Sequence, residues 1–91
     1  MSITTDRSSV RVAGALVTVI GTSGIVSSTW TVEVDGVEVA SQKVPDEATI
    51  EAPLPDGSIA EVHVQQRAFG PTKVTVHHQG ILVGEFAGFV A

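Results

Sequence analysis

The chain has 91 residues, no cysteine, and 5 basic against 10 acidic residues for a formal net charge of -5. That length makes one domain with a modest core and leaves no room for a catalytic domain beside a binding one. The acidic balance opposes the positive field that a phosphate backbone requires, so no nucleic-acid partner is expected. The lack of cysteine removes disulfides, thiolate metal sites and a cysteine nucleophile, and points to a cytoplasmic chain.

Only 16% of the residues are Asp, Glu, Lys or Arg, against about 25% in typical domains. A surface of Ser, Thr, Gln and small apolar groups is desolvated at low cost, so a protein partner or self-association is expected. Arg7 and Arg11 precede an apolar run, Val12 to Ile20, which imitates a secretory leader. Asp6 and the β-branched content of the run make it a first strand instead. No stretch approaches the roughly 18 apolar residues of a membrane span, and no membrane partner is expected.

In chain order, residues 1–8 are polar and read as a flexible N-terminal segment. A β-sandwich domain is expected over residues 9–91. Its first strand runs from Ser9 to Ile20, with a bend at Gly14 and apolar residues on both faces beyond it, as in a strand entering a sandwich interior. Gly21-Thr22-Ser23-Gly24 is a turn, and a second strand spans Ile25 to Val34. Asp35-Gly36 is the strongest hairpin signal in the chain. A two-residue type I′ turn there sets Val34 against Val37 and Val32 against Val39, with Trp30 on the same inward face. Thr29, Thr31, Glu33, Glu38 and Ala40 then occupy the other face.

The chain next breaks at Pro45-Asp46-Glu47. Ala48, Ile50, Ala52 and Leu54 alternate with Thr49 and Glu51, and Pro53 makes this an edge strand. Pro55-Asp56-Gly57 is a turn. Ser58 to Arg67 and Pro71 to Gln79 form a hairpin across Ala68-Phe69-Gly70. Its expected register opposes Val62 to Val76, Val64 to Val74, Glu61 to His77 and Gln65 to Lys73. Gln79-Gly80 turns into Ile81 to Phe86 and an apolar tail. About seven strands without helical periodicity give an all-β fold, a single antiparallel β-sandwich.

Gly21-Thr22-Ser23-Gly24, the strand ending Val32-Glu33-Val34-Asp35-Gly36-Val37-Glu38, Ala48-Thr49-Ile50 and the hairpin closing on Gln79-Gly80 together resemble the Fas apoptosis inhibitory molecule family. The resemblance covers most of the chain after residue 15. It implies a β-sandwich with a non-enzymatic protein-binding role, and supplies no catalytic residues.

The side chains with chemistry are few. His63 and His77 share a polar face with Glu61, where a weak cation site is conceivable, but His77 and His78 point to opposite faces and cannot both ligate from a regular strand. His78 is expected at the rim. Glu33 and Glu38 face each other, yet no aromatic platform accompanies them and Trp30 lies on the other side. No Gly-x-Ser-x-Gly elbow or phosphate loop occurs. The expectation is therefore no enzyme, no catalytic residue, no cofactor and no bound metal. It is a protein-binding or assembly module that self-associates through β-edges and low-charge faces, with a shell or filament subunit or a small-ligand carrier as the alternatives. Phe86 and Phe89 hold two of the three phenylalanines, and with Val90 they are the expected partner contacts.

Overall fold

The computed structural model describes residues 5–22, 28–44, 46–66 and 72–89, the last three by their backbone alone. Eight strands run in chain order: β1 (Thr5–Val12), β2 (Ala15–Thr22), β3 (Ser28–Val34), β4 (Val37–Val44), β5 (Glu47–Pro53), β6 (Ile59–Gln65), β7 (Thr72–His78) and β8 (Ile81–Phe89). They form two four-stranded antiparallel sheets, ordered β1-β2-β3-β4 and β5-β6-β7-β8. Packed together, the sheets are consistent with a β-sandwich.

The first strand of the sequence reading is two strands. Ala13 and Gly14 both take positive φ, 49° and 81°, which closes a type I′ hairpin in place of a bend. Alanine seldom adopts that conformation, which is why the dipeptide carried no turn signal. β1 also begins at Thr5, so four residues of the segment read as flexible are paired with β2.

Gly21 and Thr22, read as the start of a turn, instead end β2 and pair with Trp30 and Thr29; the turns at Asp35-Gly36, Pro55-Asp56-Gly57 and Gln79-Gly80 fall where their residue types put them. Asp35 and Gly36 have φ of 52° and 85°, and Gln79 and Gly80 of 53° and 78°. At the Pro55-Asp56-Gly57 turn, Leu54 N–H donates to Ser58 O at 2.8 Å and Gly57 N–H to Leu54 O at 3.0 Å. The hairpin β6–β7 has the expected register at all four pairs, and β5, with Pro53, is an edge strand. The expected Ala68-Phe69-Gly70 loop lies outside the described residues.

Trp30, Val32 and Val34 point inward and are buried. Val37 does not join them: it opposes Val34 but is 65% exposed, because it follows the turn directly on an edge strand. Nor does Val32 oppose Val39. A bulge between Val32 and Glu33 pairs Val32 with Ala40, and Ala40, expected on the outer face, packs beside the core along with Val39. From the second sheet Ile50, Ala52, Leu54, Ala60, Val62, Val64, Val74 and Val76 complete the interior, each at the alternate positions of its strand.

Two contacts align the sheets. Trp30 Nε1–H donates to Gln66 Oε1 at 3.1 Å, and Gln66 Nε2–H donates to the Val44 carbonyl at 2.6 Å. The methyls of Val10 lie on Gly84, where a Cβ would come within 3.2 Å of them. The first contact joins the ends of β3, β4 and β6 remote from the hairpin tips; the second lies near the tips of β1–β2 and β7–β8. All four tight turns therefore stand at one end of the sandwich.

Candidate functional site

Three groups of side chains have the means to do something. The first is the outer face of the second sheet. His63 and His77 meet edge to face, ring centroids 4.7 Å apart and planes at 87°. Thr49 Oγ1 is 3.0 Å from His63 Nδ1, while His77 Nδ1 is buried with no hydrogen-bond partner among the described residues. Glu61 opposes His77. A groove of about 280 Å³ lies beside them, lined by Glu47, Ala48, Thr49, His63, Val64 and Gln65. The pairing of His63, His77 and Glu61 on one face is as the sequence reading had it. Among the described residues, however, no three of His, Asp and Glu converge closely enough to hold a metal ion.

Glu33 and Glu38 do oppose each other across the first-sheet hairpin. Lys43, the one lysine on that pair of strands, opposes Thr29 at their far end. Like charges so placed are destabilising by tenths of a kcal/mol, about the scale of exposed cross-strand pairs.

The second group joins two turns. Ser58 Oγ–H donates to Asp56 Oδ1 at 2.5 Å, Ser58 N–H donates to the same oxygen at 2.9 Å, and Ser58 Oγ lies 2.8 Å from His78 Nε2. The Ser58 hydroxyl bond, followed by its backbone N–H, holds the Asp56 carboxyl below its ordinary value. A hydroxyl has one proton. Given to Asp56, it leaves His78 Nε2 as the donor to Ser58. The order is carboxylate, hydroxyl, imidazole, whereas an activated serine needs the imidazole between the other two. The arrangement fastens the β5–β6 turn to the end of β7, and His78 is half-buried there, at the rim as expected.

The third group was not foreseen. Among the described residues the large exposed hydrophobics are Leu16, Val37, Ile59, Ile81 and Leu82, and each stands one or two residues after a turn glycine: Gly14, Gly36, Gly57 or Gly80. All five accordingly stand at the turn end, Leu16 and Val37 on the first sheet and Ile59, Ile81 and Leu82 on the second. Leu82 and Ile81 are 51% and 66% exposed. Two adjacent apolar residues on a strand cannot both face inward, so the Ile81-Leu82 pair held the signal. Acids border the group at Glu33, Asp35, Glu38 and Asp56; Arg11, opposite Leu16, is the base there.

Of the expected partner contacts, Phe86 is half-buried and packs against the core. It opposes Val74, and Phe89 opposes Thr72, because the register shift between Thr72 and Lys73 leaves Gly88 as the extra residue. The Phe89 side chain and Val90 lie outside the described residues. No protein-family model, curated protein or solved structure matches the chain.

Proposed function

We propose that this chain is a non-enzymatic protein-binding module that assembles with copies of itself, with the turn end as the docking surface. The observation that carries the reading is the gathering of exposed aliphatic side chains at one end of the sandwich. Scattered over a surface they would need no explanation, but each of those described stands within two residues of a turn at the same end of the sandwich, which supports that end as an interaction surface. The similarity of the turn-and-strand pattern to the Fas apoptosis inhibitory molecule family supports a binding role of the same class.

Charge sets how such an assembly behaves. Acids outnumber bases around these side chains, so turn ends of two copies repel at long range while their aliphatic groups attract on contact. Salt screens the first and leaves the second. The test is solution mass by light scattering across a dilution series at low and high salt. Association that strengthens with salt and is lost in Leu82→Ser supports the proposal. A monomer under every condition, or association abolished by salt, overturns it. Phe89→Ser, in the same series, decides whether the tail adds a second contact.

A further inference from the structure

The chain contains two Asp-Gly dipeptides, Asp35-Gly36 and Asp56-Gly57. Among dipeptides that begin with aspartate, Asp-Gly is the most prone to cyclise, since glycine places no side chain in the way of its own amide nitrogen. We propose that Asp35-Gly36 is a site of spontaneous backbone isomerisation in the folded protein, and that the fold protects Asp56-Gly57 from the same reaction. In that reaction the Gly amide nitrogen attacks the Asp Cγ, a C–N bond forms, and the amide proton leaves with a carboxyl oxygen as water. Water then adds back to either carbonyl of the succinimide. Cleavage at the former backbone carbonyl routes the chain through Cγ as isoaspartate; cleavage at the other restores aspartate. One water leaves and one enters, and nothing is oxidised or reduced.

The two sites differ in what must break before attack. Gly57 N–H, the attacking group at the second site, is already committed to Leu54 O at 3.0 Å. The Asp56 carboxylate accepts two bonds from Ser58, and Ser58 is itself held by His78. Those bonds also keep Asp56 ionised, the less electrophilic form.

At the first site both residues are exposed, and the Gly36 amide makes no hydrogen bond among the described residues. The Asp35 carboxylate accepts one bond, from Leu16 N–H at 2.9 Å. The other tie, Asp35 N–H to Leu16 O at 2.8 Å, holds the nitrogen that does not attack. Asp35 also sits at φ 52°, a region strained for any side chain, and isoaspartate, with an extra backbone methylene, removes that constraint. The product would unfasten Asp35 from Leu16 at the turn end.

The experiment is prolonged incubation of the intact chain in warm neutral buffer, then tryptic digestion and electron-transfer mass spectrometry, which separates isoaspartate from aspartate at equal mass. Cleavage after Lys43 puts the two dipeptides on different peptides. The expected result is isoaspartate accumulating several-fold faster at residue 35 than at 56. That ratio should collapse toward one in urea, and Ser58→Ala should raise the rate at 56 alone. Equal rates in the folded chain, a faster rate at 56, or a ratio unchanged by urea would overturn the proposal.

Discussion

Trp30 is the side chain on which the interior turns. It is fully buried, and its indole N–H reaches Gln66, whose own amide ties the Val44 carbonyl across the sheets. Trp30→Ala is expected to cost about 3 to 5 kcal/mol by leaving a cavity. Gln66→Leu keeps the volume but removes an acceptor and a donor, at a cost of about 1 to 3 kcal/mol. Urea denaturation followed by indole fluorescence measures both. Asp56 predicts a pH effect. Its folded value lies below the ordinary 3.8, first because of the Ser58 hydroxyl and then the Ser58 amide. The unfolded chain therefore binds the proton more tightly than the folded one. The stabilisation is complete above the ordinary value and is lost as pH falls from there through the lowered one. Melting temperatures of the wild type and Asp56→Asn should accordingly converge in acid and separate toward neutrality; a gap independent of pH would count against the carboxylate.

At the scale of elements, turns decide register and register decides faces. The β1–β2 hairpin carries an alanine at φ 49°, a position suited to asparagine. Ala13→Asn should raise the melting temperature, relieving strain of about 1 kcal/mol. An unchanged or lower melting point would mean the turn is not under strain at that residue. The approach of β1 to β8 depends on the absence of a side chain at Gly84, since a Cβ there would meet both Val10 methyls at 3.2 Å. Gly84→Val should cost about 1 to 3 kcal/mol by overpacking. Adding Val10→Ala should recover part of the loss, a coupling that a double-mutant cycle reads directly. Purely additive losses would show that the two strands do not contact there.

Among the described residues, the inward faces consume most of the valines, and the large aliphatics that remain exposed stand just beyond the turns. Among the four sheet edges β1 carries Arg7 and Arg11, β4 carries Glu38 and Lys43, and β5 carries Glu47, Glu51 and Pro53. On β8 the one charge, Glu85, is paired with Lys73 of its own sheet at 3.2 Å. Charges and proline are the devices that keep edges from pairing with other chains. β8 is thus the least guarded edge, and it begins with Ile81 and Leu82 at the turn end. Ile81→Lys should therefore weaken association as much as Leu82→Ser does, read as solution mass at fixed concentration. Full association in both would remove β8 and the turn end from the interface.

The amino-acid sequence by itself determined the class, the turns at Asp35-Gly36 and Gln79-Gly80, the register of β6 on β7 and the edge position of β5. These rest on local rules: which residues tolerate positive φ, which alternate, and which lack an N–H to pair. It also identified the polar face that joins Glu61, His63 and His77, because alternation across one hairpin suffices to place them. Only the tertiary structure decided the rest. Ala13 is forced into its turn by the strands it connects. The bulge beside Val32 shifts Ala40 to the core and leaves Val37 in water. Gln66 finds Trp30 from another sheet, and five exposed aliphatic residues far apart in the chain stand at one end of the sandwich because both meanders turn there. Each of these depends on contacts between distant segments, which no local pattern of polar and apolar residues encodes.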